Sequence, residues 1–297
     1  MKYLVTGGSG LIGHFLLPKL VAQGDSVFNF DMTEGRDILD LAQIRGALSG
    51  YNPDVVIHLA AQSGVEAARD RAFDTLRLNV MGTVNVLESC RDYDVKDVVV
   101  ASSNHVYGEQ AKRPFTEDMA LNQHDLYSVS KICTDVITQA YAHNYGLNAV
   151  AVRLTNTYGP GDPHSDHIIP GSILSLLQGM VPALRSMGLV KKSYLYGEDC
   201  ADAFITIADN CEKLKGQAVN VVGSEPISSH SLAALLTEIH GWSAAPLIGG
   251  IPNDQHDEFL DGSKMKMLGW EPQYTLQEGL EKTYEWFKSQ ARQGVAV

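Results

Sequence analysis

Apolar positions along the chain follow two alternating rhythms. Short β-branched runs read as buried strands: KYLVT at 2–6, SVFNFD at 26–31, DVVIHLA at 54–60, DVVVAS at 97–102 and NAVAVRL at 148–154. Between them, apolar residues recur at three- and four-residue spacing, which predicts helices from about Leu11, from about Asp40, from Phe73 to Asp92 and from about Leu126. Strand and helix in strict alternation require parallel strands joined by helical crossovers, so the expected fold class is α/β with a doubly wound parallel sheet. After Arg153 the rhythm breaks. NTYGPGDPHSDHIIPGS at 156–172 is rich in Gly, Pro and His, as suits a loop that leaves the sheet to build a substrate lobe. QAVNVVG at 217–223 reads as one further strand returning to the sheet, and the remainder to Trp286 as helices with an LGW turn. The expected organisation is a nucleotide-binding domain over 1–157, with 200–223 returning to it, and a smaller C-terminal substrate lobe made of 158–199 and 224–290.

Composition narrows the function classes. A chain of 297 residues with 44% hydrophobic content can bury a full core, and a formal net charge of −12 repels nucleic acid and anionic membrane alike. An anionic substrate would need a local basic pocket. Cys90, Cys133, Cys200 and Cys211 show no metal-type spacing and suit packing in a reducing cytoplasm, and no metal-ligand set is expected. Lys2 leads straight into a strand, so neither a signal peptide nor a spanning helix is expected, and a cytoplasmic location is.

The candidate chemistry begins in the first turn. TGGSGLIG at 6–13 satisfies GxGxxG through Gly8, Gly10 and Gly13, with Gly7 added, between a strand and the helix that Leu11 and Ile12 open. Glycines there permit a tight turn and let a pyrophosphate approach the positive end of the helix. Asp31 ends the second strand, 18 residues beyond Gly13, where an acid holds the adenosine ribose. Its carboxylate accepts from a 2′-hydroxyl and repels a 2′-phosphate, so NAD is the expected cofactor rather than NADP. In YSVSK at 127–131, Tyr127 and Lys131 stand four residues apart on one helix face. A cation beside a phenol lowers its pKa toward a value useful for proton transfer at a carbinol.

Together with HLAA at 58–61, LNVMGTVNVLE at 78–88, SSNHVYG at 102–108, RLTNTYGPG at 153–161 and DGSKMKMLGWEP at 261–272, these motifs resemble the extended short-chain dehydrogenase/reductase family, in its branch of nucleotide-sugar epimerases and dehydratases. The stretch from Gly159 to Ser186 is further similar to CDP-glucose 4,6-dehydratases. The resemblance implies a Rossmann fold and a homodimer, joined through the Phe73–Asp92 stretch and the Tyr127 helix. It makes Ser103 the hydroxyl beside Tyr127 that binds the sugar oxygen being oxidised, and puts Lys131 on the nicotinamide ribose as well. It brings Asp37 and Ile38 to the adenine, Leu59, Ala60 and Ala61 to the cofactor, Asn79 to the active-site helix, and Asn156 to the substrate or its diphosphate.

The sequence departs from that family in three places. Asn104 and His105 stand where the dehydratases carry an acidic pair, or Asp and Lys, and Asn cannot donate the proton that water elimination needs. Lys192 replaces a diphosphate-binding Arg, and GGIPNDQHDEF at 249–259 contains no Arg, which leaves Arg185, Lys191 or Lys192 to grip an anionic substrate. The leading expectation is an NAD-dependent epimerase of a nucleotide-activated sugar, working through a transient keto intermediate. The alternatives are a 4,6-dehydratase that uses His105, a keto-sugar reductase or sugar dehydrogenase, and a non-catalytic NAD-sensing module.

Overall fold

The computed structural model describes residues 1–251 and 257–293, and its centre is one parallel sheet of six strands. These are β1 (Lys2–Thr6), β2 (Ser26–Phe30), β3 (Val55–His58), β4 (Asp97–Ala101), β5 (Asn148–Leu154) and the returning strand Ala218–Val221. Across the sheet the order is Ala218–Val221, β5, β4, β3, β1, β2, with every neighbouring pair parallel. The strand order reverses between β1 and β3. In an open parallel sheet, that switch point opens a crevice at the carboxyl ends of the strands, where ligands bind.

Pleating sends alternate residues of each strand to opposite faces. Tyr3 and Val5 pack with Leu16 and Leu20 of α1 (Leu11–Ala22) and Phe204 of the helix Gly197–Ala208. Leu4, Val56 and Val98 pack on the other face with Ile44 and Leu48 of α2 (Leu41–Tyr51) and Leu87 of the helix Gly82–Asp92. A third core, built on Ile173, Leu236, Leu280 and Phe287, belongs to helices C-terminal to β5.

Two segments differ from the pattern-based expectation. The stretch expected as one helix from Phe73 to Asp92 is divided into Ala72–Leu76, a π-helical turn at Arg77–Met81, and Gly82–Asp92. The Asn79 carbonyl in that turn accepts from the Thr83 hydroxyl at 2.6 Å and from the Thr134 hydroxyl at 3.1 Å. Side-chain donors that enter the ladder in this way widen it locally. The second difference lies near the C-terminus, where Leu247–Ile251 is a strand paired in parallel with Ala183–Ser186, and the last helix runs from Leu276 to Arg292, past Trp286. That short pairing joins distant residues and has no local signature. Of the 249–259 stretch, residues 252–256 lie outside the described residues.

Candidate active site

A cavity of about 1340 Å³ opens over the carboxyl ends of β1, β3, β4 and β5. That exceeds the ~300–1,000 Å³ of an ordinary small-molecule pocket and leaves room for a dinucleotide beside a second ligand. Gly7, Gly10, Leu11, Ile12, Asp31 and Ile38 line one end, Leu59, Ala60 and Ala61 the middle, and Ser103, Asn104, His105, Tyr127, Lys131 and Asn156 the other end, with Arg185 and Lys192 beyond.

The first end has the construction of an anion cradle. Gly7 has φ +71°, and a Cβ on it would stand 2.5 Å from the Ala60 amide nitrogen. Only glycine lets the turn lie so close to the β3 exit. No side chain caps α1, so the N–H donors of its first turn are left for a ligand. Asp31 accepts from the Ser9 amide at 3.1 Å and from the Thr33 amide and hydroxyl at 2.9 Å. Burial pushes its carboxyl up, but these hydrogen bonds outweigh burial and hold it below its ordinary value, hence ionised. An uncapped helix start, a glycine turn and an ionised acid at the next strand end fit the pyrophosphate and adenosine ribose of NAD.

Three residues expected at the cofactor do not line the cavity. A Cβ on Gly13 would come within 2.1 Å of the Gly8 carbonyl, so Gly13 allows helix and turn to pack together. The Asp37 carboxylate accepts from the Leu39 amide at 2.8 Å and shapes its own turn. Asn79 is buried one layer behind, accepting from the Gln62 amide at 2.7 Å and donating to the Ser130 hydroxyl at 2.8 Å, which ties the β3 exit loop to the helix Leu126–Tyr145. Arg36, the first basic residue after Asp31 and not expected at the cofactor, lines the same end; its guanidinium stacks over Phe28 and donates to the Asn29 carbonyl at 2.8 Å.

At the other end, each polar residue after β4 has its own destination. Ser102 donates to Asp135 at 2.9 Å, inside a buried cluster in which Arg153 binds both Asp135 oxygens, at 2.9 and 3.0 Å, and donates to the Tyr107 hydroxyl at 2.8 Å. Ser103 accepts from the His105 amide, which caps a short 3-10 turn, and is hydrogen-bonded to Tyr127. Asn104 donates to Glu258 at 2.9 Å, and the His105 ring packs edge-on to that of Tyr127 with centroids 5.9 Å apart.

Tyr127 and Lys131 share one turn of the helix Leu126–Tyr145, whose N-terminus Asp125 caps by accepting from the Ser128 amide. The expected lowering of the phenol pKa by Lys131 is not what this arrangement gives. Burial raises the Tyr127 phenol and the Ser103 hydrogen bond pulls it partly back, while the Lys131 ammonium donates to the Ala101 carbonyl at 2.9 Å. Burial also lowers Lys131 to about 8. His105 is lowered by burial too, against the raising influence of Glu258.

The basic residues beyond are already engaged. Lys192 lies 3.4 Å from Glu258 and Arg185 lies 2.8 Å from Glu66, whereas Lys191 is exposed and outside the lining. Glu258 is the neighbour of Asn104, His105 and Lys192 that sequence reasoning missed. Burial raises its carboxyl, but the charges of His105 and Lys192 and hydrogen bonds from Lys192 and Asn104 prevail and hold it below its ordinary value.

Comparison with known proteins bears on the fold and the cofactor. The model of the NAD dependent epimerase/dehydratase family matches residues 3–222. A UDP-glucose 4-epimerase of Mycolicibacterium smegmatis is 30% identical over 98% of this chain and all of its own length. A dTDP-glucose 4,6-dehydratase of Escherichia coli is 28% identical, over 98% of this chain and 94% of its own. Among solved structures, the UDP-glucose 4-epimerase of Thermotoga maritima with UDP-glucose superposes with a TM-score of 0.90 at 28% identity, covering 98% of this chain and 100% of that one.

Proposed function

The chain belongs to the NAD dependent epimerase/dehydratase family, and from that premise we propose that it is an NAD-dependent epimerase of a nucleotide-activated sugar. NAD, when bound, accepts the carbinol hydrogen as hydride and later returns it. The Tyr127 oxygen takes the hydroxyl proton of the sugar, holds it while the keto intermediate presents its other face, and gives it back. Ser103 orients the reacting oxygen against Tyr127, and its hydrogen bond partly offsets the burial that disfavours the phenolate, while Lys131, held on the Ala101 carbonyl, binds the nicotinamide ribose. Residues 158–199 and 224–290 form the substrate lobe in this reading.

One observation carries the choice of epimerase over dehydratase. Water elimination needs a proton donor at the leaving hydroxyl. Asn104 stands at the donor's position, and the carboxylate behind it, Glu258, is held ionised and does not line the cavity. Epimerisation asks only for Ser103, Tyr127 and Lys131.

A homodimer and a cytoplasmic location are part of the same proposal. Phe73, Met81 and Val136 are large apolar residues left exposed on the packed pair of helical segments that the family resemblance assigns to a subunit interface. The four cysteines are free thiols, as a reducing compartment would keep them.

The test is incubation of the protein, without added NAD(H), with a panel of nucleotide sugars, followed by NMR of the products. The expected result is one new isomer at equilibrium with its substrate. Turnover that requires added NAD(H) and consumes it would instead make the protein a reductase or dehydrogenase.

A further inference from the structure

We propose that Asp162, His164 and His167 bind one divalent transition-metal ion of the zinc type in the wall of the cavity. All three lie in the DPHSDH stretch that leads into the helix Ile168–Leu177, and all three line the cavity. Their candidate donor atoms lie within 4.8 Å of one another. His164 Nδ1 is 2.9 Å from Asp162 Oδ1, and His167 Nδ1 is 3.7 Å from Asp162 Oδ2. The two imidazoles thus face different oxygens of one carboxylate, and a small adjustment would bring one donor from each residue to the separation of about 3.4 Å that bonds of ~2.0–2.1 Å require.

Two independent observations point to a ligand. The Asp162 side chain is 1% exposed, yet its Oδ2 is buried without a hydrogen-bond partner, an arrangement that costs free energy unless something binds there. The far nitrogen of His164, Nε2, is 2.9 Å from the Ser63 hydroxyl, the kind of outer contact that fixes the orientation and tautomer of a metal-binding imidazole. Two imidazoles and one carboxylate are donors that zinc prefers to magnesium or calcium, and three protein ligands leave a coordination position open.

The ion would add positive charge to a stretch of wall where Lys192 and Arg185 are already paired with Glu258 and Glu66. A diphosphate is the group to use it, and this role rests on the nucleotide-sugar reading above.

The experiment starts with tag-free protein stripped by a chelator and titrated with Co²⁺, followed by visible absorption. The expected result is a set of d–d bands that saturates at one ion per chain and is abolished by Zn²⁺. His167→Ala, a change at a side chain 42% exposed, should weaken binding at least tenfold with an unchanged melting profile, and His124→Ala should leave binding as it was. Absent bands, or binding that survives His167→Ala, would overturn the site. In a second arm, uridine diphosphate should bind at least tenfold more tightly with Zn²⁺ than without. Metal binding that leaves this affinity unchanged would overturn the diphosphate role alone. Neither arm requires turnover, so failure here is distinct from failure of the epimerase reading.

Discussion

Tyr127 carries the proton in this account, so Tyr127→Phe should lower turnover by about 10²-fold or more while NAD binding, read by calorimetry, stays nearly intact. Lys131 shows the cost of placing a cation behind it. Its folded value of about 8 lies below the ordinary 10.5, so between those values the unfolded chain binds more protons and stability rises with pH. Below about 8 the burial cost is present in full. Lys131→Met should therefore be more stable than the parent at pH 7, by about 1–3 kcal/mol, an advantage that shrinks as pH climbs through that window; the measurement is urea unfolding at several pH values. Asp31 is ionised and turned toward the glycine loop, so NAD should bind at least about tenfold more tightly than NADP, because a like-charge contact with a 2′-phosphate costs more than about 1.4 kcal/mol. Equal affinities would remove the argument.

The turn, strand end and helix that hold these residues differ in how far the sequence disclosed them. TGGSGLIG and YSVSK are local patterns, so the glycine cradle and the Tyr127–Lys131 turn were legible in order and position. What joins distant segments was not. Asn104 meets Glu258 across 154 positions, and Asn79 reaches Ser130 across 51. The π-helical turn at Arg77–Met81 arises from threonine hydroxyls on two helices, which periodicity does not register. The Arg153–Asp135 pair, 3% and 0% exposed, anchors the loop after β4 through Ser102 and Tyr107. Arg153→Met would leave Asp135 a buried charge without its partner. Denaturant unfolding should show a loss of about 3–5 kcal/mol, and a change under 1 kcal/mol would mean the cluster does not set the loop.

At the scale of the molecule, a reversal of strand order between β1 and β3 opens one cavity, and the chain fills its rim from the dinucleotide turn at one end and the lobe after β5 at the other. The exposed Phe73, Met81 and Val136 predict a dimer in light scattering at micromolar concentration, where a monomer would contradict the proposed assembly. The same cavity could in principle serve elimination as well as epimerisation, since relatives of both kinds match over nearly the whole chain. In the proposed reading, Asn104, with the ionised Glu258 behind it, separates the two chemistries. The most direct measurement is the mass of the product formed from the nucleotide sugar that the protein turns over. The account predicts a product of the same mass as its substrate, and a product lighter by one water would contradict it.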